Sequence, residues 1–239
     1  MIKRLKKVGC IMGFCLAVAC AEVSLSEKEK GSEDKASKDK GWIILFDGSS
    51  TEQWRTYLSD DLNKEWQIID GALTLTKKGG GDIISKGTYG DFILELEWKI
   101  SAGGNSGIFY HVIEDAKYSK VYLTGPEYQL LDNKGRSEPP LEQAGSLFAL
   151  YAPTTDVTKP VGNYNKSRLV VRGAKVEHYL NGSLVTAYDR ESSDYQQRVA
   201  ASKFGKWPGF DSTKTGHIAL QDHGDVVAFK NIRIKDLSN

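Results

Sequence analysis

Two carboxylates and an amide stand close together between Glu127 and Asp132, in the sequence EYQLLD. Because side chains alternate along a strand, Glu127 and Gln129 would face one side of a sheet while Tyr128 faces the core. Asp132 would then point away from Glu127, unless a one-residue β-bulge at Leu130–Leu131 returned it to the same face. Two neighbouring carboxyl groups can cleave a glycosidic bond. We therefore predict sugar chemistry here; the alternative is a polar strand face that ends in an aspartate turn.

Further potential catalytic groups are histidines. In the segment HIALQDH that ends at His223, alternation places Gln221 and His223 on one face, with His223 at the mouth of a predicted strand. A neutral imidazole there could take a proton near pH 7. His111 lies within another predicted strand, whereas His178 and His217 are interpreted as surface histidines without a role. No H-x-H or H-E-x-x-H spacing occurs, so no cofactor is predicted, although His, Glu and Asp together could bind a divalent metal.

Aromatic side chains near predicted loops and strand ends are candidates for stacking against the flat C–H face of a sugar. Trp207 is the best placed, because it lies in the Gly- and Pro-containing loop 205–209. The other candidates are Tyr110, Tyr151 and Phe210. Core packing is the alternative, and we favour it for the remaining tryptophans, which are Trp42, Trp54, Trp66 and Trp98.

The elements that must position these side chains are short strands joined by turns. Phe92–Ile100 alternates apolar and charged residues and is followed by a Gly-containing turn, which predicts a strand with one face in the core. Asn181-Gly182 between two apolar runs predicts a tight hairpin. Only Glu191–Lys203 has the pattern of a modest helix. Further strands are predicted at Ala72–Leu75, Ser106–Ile113, Glu127–Leu131, Leu147–Tyr151, Asn165–Arg172, Lys175–Leu180, Leu184–Tyr188, His217–Gln221 and Val226–Lys235.

Many short strands with almost no helix predict an all-β fold, an antiparallel β-sandwich or jelly roll. The length of 239 residues suits one such domain. Neither a parallel β-α-β pattern nor a phosphate-binding loop motif occurs, which argues against a nucleotide-binding sheet. Two long loops, Glu114–Pro126 and Asp132–Gly145, flank the Glu127 strand, and long loops are often functional.

The first forty residues are predicted to lie outside the folded domain. Basic residues and then an apolar run from Val8 to Ala19, too short to span a bilayer, predict a signal peptide over residues 1–20. The sequence LAVAC resembles an imperfect lipobox, so Cys20 is predicted to be lipidated; the alternative is an ordinary signal peptide cut at the same bond. Residues 21–40 predict a flexible charged linker. Residues 41–239 predict the folded domain, exported to the periplasm or cell surface and anchored to the membrane by the lipid.

The composition narrows the possible chemistry and partners. All three cysteines lie in the predicted signal peptide, which excludes cysteine catalysis and thiolate metal sites from the predicted domain. The chain has 32 basic and 31 acidic residues without a clustered basic excess, unlike a nucleic-acid-binding protein. A carbohydrate is therefore the predicted partner, with no nucleic acid.

Seven motifs, in order and spacing, resemble the 3-keto-disaccharide hydrolase family, formerly domain of unknown function 1080. The resemblance runs from about Gly41 to Leu237 and implies a fold of the concanavalin A-like lectin/glucanase type. It also implies cleavage of glycosides oxidised at C3, by hydrolysis or elimination. Asn105 opens one motif and is predicted to contact the substrate; after it the family more often has an Arg where this chain has Tyr110-His111. The motifs are LFDG at 45–48, WQIIDG at 66–71, NSGIF at 105–109, GPEYQLLD at 125–132, HYLNG at 178–182, LQDHG at 220–224 and FKNIRI at 229–234.

The implied chemistry gives each candidate a role. A ketone at C3 acidifies the C2 proton, so a base could remove it and the C1 substituent could leave by β-elimination, with water adding back in the hydrolytic outcome. Glu127 or His223 is the predicted base. Gln129, Gln221 or His111 would stabilise the enolate, since fixed donors aimed at developing charge are among the larger catalytic effects.

Two other interpretations stay open. Glu127, Gln129 and Asp132 have the spacing of the E-x-D-x-x-E strand of retaining β-glucanases, which would make Glu127 the nucleophile and Asp132 the acid; Gln129 in the middle position weakens this. On keto-glycosides, Asp132 would instead position a hydroxyl or a histidine. The same fold also serves non-catalytic carbohydrate-binding modules, which use exposed aromatics and need no cluster of ionisable groups.

Overall fold

The computed structural model describes residues 41–238. Within these residues one α-helix occurs, α1 (Ser193–Ala201), together with short 3-10 helices at Val121–Leu123, Pro140–Glu142 and Lys203–Lys206. The rest is strand and loop. The strands are β1 (Trp42–Phe46), β2 (Trp54–Thr56), β3 (Trp66–Ile69), β4 (Ala72–Leu75), β5 (Ile83–Tyr89), β6 (Phe92–Ile100), β7 (Asn105–Val112), β8 (Glu127–Leu131), β9 (Asn165–Arg172), β10 (Lys175–Leu180), β11 (Ser183–Asp189), β12 (Gly216–Leu220) and β13 (Val227–Asp236).

The strands form two antiparallel sheets that share one core. The larger sheet has the order β11-β10-β9-β6-β13-β4-β3, with β1 also paired to β13. The five-stranded sheet has the order β2-β5-β12-β7-β8. Apolar residues of both sheets belong to the same buried cluster, so the two sheets pack face to face. The predicted antiparallel sandwich is confirmed.

Strand β6 shows how the sequence pattern builds this core. Its alternate residues from Phe92 to Ile100 are buried, and the charged residues between them are partly exposed. Trp98 is fully buried, and its Nε1 donates a hydrogen bond to the Ser167 Oγ atom at 2.9 Å. Truncation of such an aromatic residue to Ala costs about 3–5 kcal/mol of folding free energy.

A β-bulge interrupts the pairing of β7 with β12. His217 lies opposite Val112 and Ala219 lies opposite Phe109, so β7 has one residue more than β12 over this stretch. The additional residue is accommodated at His111, whose φ of 52° lies in the left-handed region. Alternation is broken at His111, which turns into the interior beside Tyr110, and the two rings are in edge-to-face contact.

The opposite face of the five-stranded sheet is partly covered as well. A second, smaller apolar cluster lies there and includes Phe109 of β7, Ala219 of β12 and Val121 of the 3-10 helix before β8. Glu127 and Gln129 of β8 lie on this same face, because Tyr128 and Leu130 between them belong to the main core. The predicted orientation of Glu127, Tyr128 and Gln129 is confirmed.

Several predicted elements differ from the structure. Leu147–Tyr151 is not a strand: it makes only isolated bridges, and Ala149, with a φ of 60°, turns the chain so that the Leu150 N–H donates to the Leu147 carbonyl. The predicted helix is confirmed over Ser193–Ala201. Four strands were not predicted, namely β1, β2, β3 and β5.

The predicted signal peptide, the lipidated Cys20 and the linker lie outside the described residues and stay predictions. Among residues 41–238, no helix has the length and apolar character needed to cross a membrane.

Candidate active site

A cavity of about 430 Å³ opens on the outer face of the five-stranded sheet. Its floor is formed by β7, β8 and the end of β12, and its walls by the loops around β8 and by the 3-10 helix Lys203–Lys206. The volume is in the range of small-molecule sites. The sequence candidates that line it are Glu127, His223, Gln129, Gln221, Asn105, Trp207 and Phe210.

Glu127 is the carboxyl group on the cavity floor. It is half-buried and makes no hydrogen bond or ion pair with any described residue. Space for it exists because Gly107 lies beside it on β7, where a Cβ atom would overlap the Glu127 carboxyl group. Burial raises the pKa of Glu127 to about 8; the positive charge of Lys203 opposes this shift, and Asp82 adds to it. A carboxyl group with such a pKa can exchange a proton near neutral pH.

Three amide side chains that line the same cavity as Glu127 have buried oxygen atoms without partners. Asn105 and Gln221 are 9% exposed and Gln129 is 1% exposed. The Asn105 Oδ1, Gln129 Oε1 and Gln221 Oε1 atoms accept no hydrogen bond within the described part of the chain. The Gln129 Nε2 atom donates to the Glu142 carbonyl at 3.2 Å, which defines the orientation of this amide. An unmet buried acceptor costs about 1–3 kcal/mol, so a ligand that brings hydroxyl donors would relieve all three.

The turn that carries His223 is held by two aspartates. The Asp222 backbone N–H donates to Asp82 Oδ1 at 3.0 Å. The Asp222 Oδ2 atom accepts the N–H groups of Gly79 and Gly81, each at 2.9 Å. Asp82 is itself buried, which raises its pKa to about 6. These bonds fix the backbone on either side of Asp222 and so place His223 at the rim of the cavity, as predicted from its position at a strand end.

Two cations line the cavity, and their surroundings differ. Arg136 is occupied: its Nε atom donates to the Gly103 carbonyl, and its terminal nitrogens lie 3.3 Å from Asp225 and 3.6 Å from Glu138. Lys203 makes no hydrogen bond or ion pair with any residue in the described range. Its Nζ atom lies 4.5 Å from the centroid of the Phe148 ring, where a cation–π attraction holds it.

Aromatic rings form the outer wall of the cavity. Trp207 lies against Tyr122 with 5.6 Å between ring centroids and against Phe204 with 5.2 Å. Trp207 is only partly buried and Tyr122 is exposed. Phe210 is instead buried and stacks on Phe204. Trp207 and Tyr122 are therefore the rings that a sugar entering the cavity would meet.

Asp132 is not part of the cavity. The bulge that would bring it to the face of Glu127 is absent, because β8 pairs with β7 in regular register from Glu127 to Leu131. Alternation therefore turns the Asp132 side chain away from Glu127. Its Oδ2 atom accepts the Gly103 N–H at 2.8 Å, and it closes a turn. The pair of carboxylates that a retaining glycosidase would need from Glu127 and Asp132 is not formed.

Tyr110 and His111 of β7 do not line the cavity, because alternation turns Tyr110 into the main core with Ile108 and the bulge turns His111 inward as well. The Tyr110 hydroxyl lies 2.5 Å from the Tyr188 hydroxyl between the sheets. His111 is buried; its Nδ1 atom accepts a hydrogen bond from Arg190 Nη1 at 3.0 Å, and its Nε2 atom donates to the Gly90 carbonyl at 2.9 Å. Burial lowers the pKa of His111 to about 4. A neutral, fully bonded imidazole is structural, so His111 does not reach a ligand in the cavity.

Two further predictions are corrected by the packing. Tyr151 does not line the cavity; its hydroxyl donates to Asp194 and its ring stacks on Tyr188 with 5.4 Å between centroids. His178 was predicted at the surface but is fully buried, and its Nδ1 atom donates to the Gly145 carbonyl at 3.0 Å. His217 is half-buried and hydrogen-bonded to the Ser85 carbonyl at 2.7 Å.

Several cavity residues that were not predicted come from the two long loops around β8. The predicted loop Glu114–Pro126 contributes Tyr122, and the predicted loop Asp132–Gly145 contributes Arg136, Glu138 and Glu142. The long loops around β8 were the signal for these residues. Lys203 and Phe148 had no such signal, because only the tertiary fold brings them to β8.

A β-sandwich that collects a carboxyl group, unpartnered amides and exposed aromatic rings in one cavity has the character of a carbohydrate-active protein. A family model for the 3-keto-alpha-glucoside-1,2-lyase-like domain matches residues 41–235. The chain belongs to this family, and the prediction that it is an enzyme that cleaves glycosidic bonds is confirmed.

Similar proteins agree with this assignment. A 3-keto-disaccharide hydrolase of Bacteroides thetaiotaomicron is 35% identical over 228 residues, which cover 82% of this chain and 79% of that protein. A crystal structure of a candidate glycosyl hydrolase from Parabacteroides distasonis has 35% identity and a TM-score of 0.79, covering 84% of this chain and 96% of the other. A second candidate glycosyl hydrolase from that organism has 27% identity and a TM-score of 0.64, covering 82% and 99%.

Proposed function

We propose that this enzyme cleaves the glycosidic bond of 3-keto-glucosides or 3-keto-disaccharides, with Glu127 as the base that removes the C2 proton. The observation that carries the proposal is the state of Glu127: a cavity carboxyl group without a partner among the described residues, whose burial raises its pKa to about 8. A base is most effective when its pKa lies near the working pH. The family description and the name of the Bacteroides relative support the 3-keto class of substrate.

The reaction balances without an oxidant or a reductant. Glu127 takes the C2 proton, and the electron pair of the C–H bond forms an enolate with the C3 ketone. The enolate then re-forms the ketone as the C1–oxygen bond breaks, and the departing oxygen takes a proton and leaves as an alcohol. The sugar product has a double bond between C1 and C2. Addition of water to that double bond gives the net product of hydrolysis.

The other cavity groups have roles in the same scheme. Asn105, Gln129 and Gln221 accept hydrogen bonds from sugar hydroxyls, which satisfies their unpartnered oxygens. His223 at the rim supplies a proton to the leaving oxygen, and Trp207 stacks on a sugar face. A retaining mechanism with Glu127 and Asp132 is disfavoured because Asp132 lies outside the cavity.

The test is a comparison of two substrates that differ only at C3. Purified enzyme is incubated with a glucoside and with its 3-keto form, with and without a chelator, and the products are identified by mass. We expect release of the aglycone from the 3-keto form alone. Cleavage of the unoxidised glucoside at an equal rate, or of neither compound, would contradict the proposal.

A further inference from the structure

The three unpartnered amide oxygens restrict how an oxidised sugar can lie in the cavity. Asn105 Oδ1, Gln129 Oε1 and Gln221 Oε1 can only accept hydrogen bonds. A ketone oxygen, and the enolate oxygen that forms from it, can also only accept. If the C3 oxygen faced the amide oxygens, two hydrogen-bond acceptors would meet in a buried site without a donor between them, which is energetically costly. The hydroxyls of the sugar therefore face these three oxygens, and the C3 oxygen needs a donor, which in this cavity is a cation or an amide N–H group.

Lys203 is the cation of the cavity whose donors are free for this task. The guanidinium of Arg136 is already shared among Gly103, Asp225 and Glu138. The Lys203 ammonium, in contrast, makes no hydrogen bond or ion pair within residues 41–238. Instead its Nζ atom lies over aromatic rings, 4.5 Å from the centroid of Phe148 and 5.8 Å from that of Trp207.

Lys203 and Glu127 also border the same part of the molecule. Both line the cavity, and the charge of Lys203 is the largest electrostatic influence that opposes the raised pKa of Glu127. The base must approach C2, and the C3 oxygen lies two bonds from C2. Because both side chains line one cavity, a sugar ring that binds with C2 against Glu127 places its C3 oxygen in the space that Lys203 also lines.

We propose that Lys203 is a catalytic residue that donates a hydrogen bond to the C3 oxygen and stabilises the enolate. This inference rests on the proposed function and identifies the residue that stabilises the negative charge of the enolate. As Glu127 takes the C2 proton, charge builds on the C3 oxygen beside the ammonium, and it returns to the ring when the C1–oxygen bond breaks. Lys203 keeps its proton throughout, so its contribution is electrostatic.

The chain offers a matched control. Lys206 belongs to the same 3-10 helix, is exposed and does not line the cavity. Lys203→Met keeps an unbranched side chain over Phe148 and removes the charge, Lys203→Arg keeps the charge, and Lys206→Met removes a neighbouring charge. Because Lys203 is exposed and without polar partners in the described range, all three variants should retain the melting temperature of the wild type.

The measurement is kcat and KM on a 3-keto-glucoside across a pH series. Loss of one donor to a developing oxyanion typically costs about 10²–10³-fold in kcat, which we expect for Lys203→Met with little change in KM. Lys203→Arg should retain part of the activity, and Lys206→Met all of it. A Lys203→Met variant that matches Lys206→Met, or that changes KM alone, would overturn the inference. Wild-type enzyme without activity on the 3-keto-glucoside would instead overturn the proposed function, and the inference with it.

The pH series adds a signature that a structural role would not give. The charged or titratable groups around Glu127 are Lys203, Asp82, Glu142, Glu138, Arg136 and His223. Because Lys203 lowers the pKa of Glu127, its loss should raise that pKa and move the acidic limb of kcat/KM to higher pH. An unmoved limb in Lys203→Met would contradict the placement of the ammonium beside the base.

Discussion

Two polar regions of this enzyme differ in how their buried groups are satisfied. In the first region, Arg190 at the end of β11 donates to Asp211, to the Thr213 carbonyl and to His111, while Tyr195 donates to Asp211 at 2.6 Å. In the cavity, Glu127 and three amide oxygens have no partner among the described residues. Both regions contain ionisable groups, but only the second leaves hydrogen-bonding capacity for a ligand.

The difference separates structural from functional polar residues. A closed network rigidifies the fold, and loss of one member leaves an unpaired buried charge. A cluster of unpartnered buried groups lowers the stability of the free enzyme, and a ligand that forms the missing hydrogen bonds removes this penalty. His111 shows the value of this distinction, since its residue type suggested catalysis while its partners show a structural role.

The largest effect is expected from Glu127→Gln in the cavity. It removes the proposed base with little change in shape, so turnover of a 3-keto-glucoside should fall by about 10²–10⁴-fold. The melting temperature should not fall, because Glu127 has no internal partner in the described part of the chain. Substrate turnover and thermal unfolding are measured on the same preparation. Retained turnover would exclude Glu127 as the base.

Asp211→Ala should give the opposite result in the closed network. Arg190 and Asp211 are both buried, with side chains 7% and 8% exposed. Removal of one partner from such a pair typically costs about 3–5 kcal/mol of folding free energy. Denaturant unfolding measures this loss, and kcat of the folded fraction should stay near the wild-type value. A large fall in kcat with unchanged stability would show that the network belongs to the active site.

Gln221→Met tests an open group of the cavity. The variant removes an acceptor that has no donor in the described structure, so stability should be unchanged or slightly higher. Binding of a hydroxylated substrate should weaken by about 1–3 kcal/mol, since a sugar hydroxyl loses its acceptor. Calorimetric binding of an unreactive sugar analogue, together with thermal unfolding, measures both quantities. A loss of stability without a loss of affinity would argue that Gln221 is structural.

The effect of pH on stability and activity should be smaller than the effects of these substitutions, but its direction follows from the pKa of Glu127. The pKa of Glu127 is raised to about 8 in the folded enzyme, from an ordinary value of 4.5. The folded state therefore holds this proton more tightly, and the contribution of Glu127 to stability decreases as pH rises between these two values. Activity should increase over the upper part of the same range, as the base loses its proton. In Glu127→Gln the part of the pH dependence of folding stability that comes from Glu127 should disappear. Unfolding curves at several pH values can detect this difference.

The parts of the fold with regular alternation could be predicted from the sequence. Strand β6 and the Glu127 strand are examples, because burial of every second residue is visible in the residue types. Strand β5 (IISKGTY) was not predicted, because Lys and Gly interrupt its apolar alternation and its register against β12 is irregular.

The errors in the predicted site come from bulges and from loops. The catalytic role considered for Asp132 required a bulge before it, where pairing is regular, and a bulge at His111, which reverses the direction of that side chain, was not predicted. Bulges depend on pairing between strands, which one strand's sequence does not contain. Lys203 reaches the cavity only through tertiary packing, so no local pattern could identify it.

The most direct test of Glu127 as the base for C2 uses a 3-keto-glucoside that carries deuterium at C2. Aglycone release and deuterium content of the sugar product are followed together by mass, with heat-inactivated enzyme as the control for spontaneous exchange. The account predicts that wild-type enzyme releases the aglycone with loss of the C2 deuterium to solvent, and that Glu127→Gln does neither. Aglycone release with the C2 deuterium retained would contradict it.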